Sequence, residues 1–197
     1  MAACAAASVA ASLSGGAELL QYDHARVAEG ELWRLLTGQM VHWTARMAIA
    51  DLAVLLVLGF WLEREGRRRA VSLALGLGAV FVAAGVVFPP SGVPFYRGSS
   101  GLASALFVLA ALEAVRPPAR LSSRTLAAGA LLIFAAKLAW EIAGGHPLFA
   151  GGLPQDVEPM PLIHLLGGIA GAVAFGADRR FSSVRAPGST EHRAPYS

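Results

Sequence analysis

The chain has 197 residues, of which 55% are apolar and only 15% charged, with a formal net charge of +3. A soluble domain carries about a quarter of its residues charged, so this composition excludes an ordinary water-soluble globule and points to lipid as the solvent. The basic residues are almost all arginine, set beside apolar runs and not interleaved with aromatics as nucleic-acid binding requires, while the single cysteine, Cys4, excludes an intramolecular disulfide and a cysteine-built metal site.

A membrane-crossing helix needs about twenty apolar residues, and six segments qualify: roughly 2–20, 40–62, 70–88, 99–115, 124–143 and 161–177. The pattern predicts an all-α membrane protein with six spans. The first segment is rich in Ala and Ser and contains Glu18; with no Lys or Arg ahead of its apolar stretch, it reads as an uncleaved helix and not as a signal peptide. Residues 21–39 carry Asp23, His24, Arg26, Glu29, Glu31 and Arg34 and read as a polar interfacial loop.

Basic clusters lie at residues 63–69, at Arg116, Arg120 and Arg124, and at Arg179, Arg180, Arg185 and Arg193. The positive-inside rule makes these regions cytoplasmic, with both termini inside and residues 21–39, 89–98 and 144–160 outside. The outer segments are rich in Pro and Gly, which break helices where the chain must turn. Residues 1–180 form one membrane domain, and 181–197 lack apolar periodicity and are expected to be a disordered cytoplasmic tail.

Two polar positions open spans on the same, outer side. Ser100 lies in the first turn of the fourth span, after Gly98 and Ser99 and before Gly101; His164 lies one turn into the sixth. For two such short side chains to share a hydrogen bond their helices must approach unusually closely, which small residues permit. Gly167 and Gly171 follow His164 on its own face, Ala103 and Ser104 line the face through Ser100, and Gly98 and Gly101 leave room for a substrate backbone. A helix N-terminus offers free N–H groups and the positive end of a dipole to an oxyanion formed when a hydroxyl attacks a carbonyl. Taken singly, each feature has a plain structural reading: a helix-capping serine, and a packed intramembrane histidine.

Gly98-Ser99-Ser100-Gly101 resembles the rhomboid GxSG motif, His164 to Gly171 its HxxGxxxG motif, and Glu31 to Arg34 the Trp-Arg signature of its first loop. The resemblance covers roughly residues 20–177. It implies a six-helix rhomboid fold acting as an intramembrane serine protease, with Ser100 as nucleophile and His164 as base. Leu32 to Trp43 and Tyr96 to Leu109 are most similar to the rhombosortase branch, which implies a location in the bacterial inner membrane and substrates with a C-terminal sorting tail: a short glycine-containing motif, a transmembrane helix and a basic end. No cofactor or metal is implied, and the partners implied are a transmembrane protein substrate and the lipid bilayer.

Rhomboids place His, His and Asn along the second span where this chain has His42, Met47 and Asp51. Met47 cannot donate a hydrogen bond, and Asp51 donates only when protonated; a neutral Asp51 replaces the usual amide donor to the oxyanion, whereas an ionised one orients His164. The aromatic that stacks on the base in several rhomboids is Ser104 here. Lys137 and Glu141, at i and i+4 in the fifth span, are expected to neutralise each other, and Arg46 to snorkel to the outer interface. The chain has no HExxH and no Gly-x-Gly-Asp, which argues against zinc and aspartyl intramembrane proteases. The alternatives are a non-catalytic rhomboid relative that binds transmembrane clients and a small transporter component. The latter requires a continuous polar pathway.

Overall fold

A computed structural model describes residues 16–88, 93–117, 120–144 and 160–184. The chain enters it through a one-turn helix, α1 (Ala17–Leu20), then β1 (Tyr22–Asp23), α2 (His24–Ala28) and α3 (Arg34–Thr37). The long helices α4 (Ala45–Arg64) and α5 (Arg68–Val87) follow, then β2 (Phe95–Tyr96), α6 (Ser100–Ala114), α7 (Leu121–Ile142) and α8 (Pro161–Val184).

Local chemistry sets the boundaries. The Thr44 side chain accepts from the Met47 N–H at 3.2 Å and starts α4. Gly66, at φ +77°, takes the left-handed conformation that turns the chain from α4 into α5.

Four helices, α4, α5, α7 and α8, are long and apolar enough to cross a membrane. The expected fourth span, α6, has only 15 residues, about 22 Å of helix against a hydrocarbon core of about 30 Å. Most of the expected first span, and most of the 144–160 loop, lie outside the described residues. At the other end of the chain α8 continues to Val184, past the point where a tail was expected; residues 185–197 are also outside the described set.

The packing is that of a membrane protein. Ile49, Val57, Phe60, Val80, Leu126, Leu132 and Ile133 are exposed on the outer surface, the surface that lipid covers. Small residues fill the interior. The short α6 is apolar all round and packs against α4, α5, α7 and α8, burying Gly101, Ala103, Ser104, Ala105, Leu106, Leu109 and Ala110. On α5, Gly78 faces Leu102 and Ala105 of α6, and Gly85 faces Ile163 and Leu166 of α8.

The arginine-rich ends gather on one side. Arg67 binds Glu113 at 3.0 Å, Arg116 binds Glu113 at 3.3 Å and Asp178 at 3.8 Å, and the Arg69 guanidinium lies over the Phe181 ring. This network fixes the far end of α6 level with the arginine-rich end of the bundle. The end that stops short is therefore Ser100.

At that opposite end, residues 16–40 form a folded cap and not an extended polar loop. Tyr22 pairs with Tyr96 and Asp23 with Phe95 in a two-stranded antiparallel ladder, and His24 N–H donates to the Pro94 carbonyl at 3.0 Å. Arg34, 7% exposed, is a strut: its guanidinium donates to the Glu18 and Gln21 carbonyls and pairs with Glu31. Tyr22 donates to the Val86 carbonyl and Gln39 to those of Leu35 and Ala79, which ties the cap to α5.

Candidate active site

The site lies where α6 begins, between the cap, α4 and α8. Gly98 N–H donates to the Gly38 carbonyl at 3.1 Å, and Tyr96 OH donates to the Gly98 carbonyl at 2.8 Å. Gly98 has φ +148°, open to glycine and strained for any other residue. These bonds fix the approach to Ser99 and Ser100. No side chain caps α6, so the N–H groups of its first turn stay available to a ligand.

Ser99 is buried, 4% exposed, while Ser100 is partly exposed. The Ser99 hydroxyl lies 3.0 Å from His42 Nε2 and donates to Asp51 Oδ2 at 3.5 Å; the Ser99 N–H donates to His42 Nε2 at 3.3 Å. His42 and Asp51, 3.3 Å apart, thus form one cluster on Ser99. Burial first, and Asp51 second, push the Tyr96 phenol up, against a smaller lowering from the nearby Ser100 side chain. Tyr96 therefore stays protonated and keeps donating to Gly98.

α6 and α8 run parallel and touch backbone to backbone. A Cβ at Gly167 would run into the Gly101 carbonyl, and one at Gly171 into the Ala105 carbonyl. One turn nearer the site, the Ile163 side chain and carbonyl close on Gly101. Ser100 and His164, the neighbours of Gly101 and Ile163, therefore stand at one level on touching helices. Among the described residues no hydrogen bond joins them. His164 Nδ1 is engaged instead by Glu141 Oε2 at 2.9 Å and Lys137 Nζ at 3.0 Å, both from α7.

The expected neutralisation of Glu141 by Lys137 is present at 2.7 Å, but the pair also grips His164, which the i, i+4 spacing alone does not indicate. Their places could have indicated it: Glu141 ends α7 and His164 begins α8, so consecutive antiparallel helices bring them level. Asp51 does not fill the place of an acid beside His164, because it faces His42 and Ser99. The Met47 N–H donates to the Thr44 hydroxyl, and its side chain has no donor to offer. Ser104 donates to the Ser100 carbonyl at 2.8 Å, where a ring would otherwise stand. Among the described residues no cluster of three His, Cys, Asp or Glu side chains could hold a metal ion.

The fold and the site define a multi-pass membrane protein in which a short, enclosed helix opens on a serine at the level where α7 ends and α8 begins. Residues 29–177, more than half of the chain, match the Rhomboid domain, and the chain belongs to the rhomboid family, whose members are intramembrane serine proteases and their relatives. No curated protein matches the chain.

Proposed function

We propose that the protein is an intramembrane serine protease in which Ser100 attacks and His164 is its base. The observation that carries this reading is the backbone contact of Gly101 with Gly167, which holds the two residues at one level. With Nδ1 of His164 engaged by α7, Nε2 is the nitrogen left for Ser100. Catalytic hydrogen bonds are often long before substrate arrives and tighten in the complex.

His164 takes the Ser100 proton as Oγ bonds to the scissile carbonyl carbon. The proton then passes to the leaving amine as the C–N bond breaks, and water entering from the outer side hydrolyses the acyl-enzyme by the reverse relay. First-turn N–H groups of α6 face the oxyanion, supported by a neutral Asp51, with His42 holding Ser99 beside them. Gly98 leaves the approach to the serine open, whereas Gly101, expected to make room for substrate, is buried against Val82, Ile163 and Gly167 and serves the helix contact instead.

The substrate is a membrane-anchored protein cut near the outer face of the bacterial inner membrane, with a C-terminal sorting tail as in the rhombosortase branch. Both termini of the protease are cytoplasmic. Coexpressing a tail-bearing membrane protein with wild type or Ser100→Ala tests this reading: tail loss with wild type alone supports it, and an intact tail in both opposes it.

A second reading rests on the 3.0 Å contact of Ser99 with His42, which makes Ser99 the nucleophile and Asp51 the acid of its triad. Against it, Ser99 is buried and its hydroxyl is already committed to His42 and Asp51. Mapping the serine modified by a fluorophosphonate decides between them.

A further inference from the structure

Of the intramembrane charges, Glu141 is the most deeply placed, 5% exposed, and its carboxylate spans two partners: Lys137 at Oε1 and His164 at Oε2. We propose that Glu141 is a positioning residue that selects the proton-accepting tautomer of His164, which makes the site a Ser–His–Glu triad. The proposal rests on the reading of Ser100 and His164 as the reacting pair.

An ammonium only donates and an ionised carboxylate only accepts, while a neutral imidazole carries one N–H. Two arrangements are possible at Nδ1. If Nδ1 is bare it accepts from Lys137; Nε2 then carries the hydrogen and cannot take a proton from Ser100. If Nδ1 carries the hydrogen it donates to Glu141, and the Nε2 lone pair is available. Each arrangement makes two hydrogen bonds, but the second gives both carboxylate oxygens a donor, Lys137 at Oε1 and His164 at Oε2, and gives up the Lys137 bond to Nδ1, while the first leaves Oε2 facing a bare Nδ1 at 2.9 Å, acceptor against acceptor.

No other charge competes among the described residues of the helices packed on α8. Arg68 and Arg69 of α5, Glu113 of α6 and Arg124 of α7 lie at the opposite end, as do Asp178, Arg179 and Arg180 of α8 itself. When the Ser100 proton reaches Nε2, the imidazolium lies against the Glu141 carboxylate, which offsets the new charge and receives no proton itself. Lys137 is the counter-charge that makes a carboxylate tolerable at this depth.

The test uses full-length protein in lipid nanodiscs with ¹⁵N-labelled histidine. The ring spectrum of His164, assigned by its loss in His164→Ala, should show Nδ1 protonated and Nε2 bare above the titration range. Glu141→Leu should convert it to the Nε2-protonated tautomer and slow fluorophosphonate labelling of Ser100 by about 10²- to 10⁴-fold. Glu141→Asp should recover part of that rate. Lys137→Met should keep the Nδ1–H tautomer and lose less than about tenfold, and the double variant Lys137→Met/Glu141→Leu, which leaves no unpaired buried charge, should fold and stay slow.

An Nε2-protonated His164 in the wild type overturns the positioning role whether or not Ser100 reacts. Equal losses in Lys137→Met and Glu141→Leu with no tautomer change also overturn it, since that is the behaviour of a purely structural ion pair. A wild type with the Nδ1–H tautomer but an unlabelled Ser100 overturns the nucleophile reading and, with it, the triad.

Discussion

Gly167 and Gly101 meet backbone to backbone, with the position of a Gly167 Cβ already occupied by the Gly101 carbonyl. Gly167→Ala must therefore push α8 off α6. It should lower stability by about 1–3 kcal/mol and separate His164 from Ser100, so that labelling falls more than the loss of folded protein explains. Gly176→Ala, on the same helix with nothing within 4 Å of its Cβ, should unfold at or slightly above the wild-type temperature. Thermal unfolding in detergent beside probe labelling measures both.

Arg34 joins the cap to itself through two carbonyls and Glu31, so Arg34→Ala leaves buried acceptors unmet. The expected cost is about 2–4 kcal/mol, read as a lower unfolding temperature and faster proteolysis of residues 16–40. Arg34→Lys should recover only part, since an ammonium lacks the guanidinium fork that reaches three acceptors.

Asp51 lies between His42 and Ser99. If it acts as a neutral donor, Asp51→Asn should retain most activity and Asp51→Leu should lose it. Loss in both variants assigns the role to a carboxylate charge on His42; full turnover in Asp51→Leu removes Asp51 from the reaction. Cleavage of a coexpressed tail-bearing membrane protein reads all three outcomes.

The arginine-rich end of the bundle is expected to face the cytoplasm. A reporter fused after residue 68 or 120 should then report the cytoplasm, and one inserted near residue 92 or 150 the outside. An outside signal at 68 would invert the orientation of the site.

Much of this architecture was legible in the residues. The long apolar runs mark α4, α5, α7 and α8, and the glycines at 167 and 171 announce a close helix approach, because only small residues let backbones touch in lipid. The apolar run read at 99–115 coincides with α6, bounded by Gly98 and Ser99 at one end and Arg116 at the other; what was not legible is that four helices enclose it, which depends on packing. The cap was also hidden: Arg34 and Gln21 are polar by type, but their burial follows from partners distant in sequence, the Glu18 and Gln21 carbonyls for Arg34 and the Arg97 guanidinium for Gln21. At the site, motif spacing points to Ser100 and His164, whereas the engagement of Glu141 with His164 and of His42 with Ser99 depends on how neighbouring helices are rotated, which no local pattern encodes.

The role of Ser100 is tested most directly by treating purified protein in nanodiscs with a fluorophosphonate and locating the adduct by peptide mass spectrometry. The expected result is a single adduct on Ser100 that is absent in Ser100→Ala, lost in His164→Ala and retained in Ser99→Ala. An adduct on Ser99 that persists in His164→Ala and disappears in His42→Ala would contradict it.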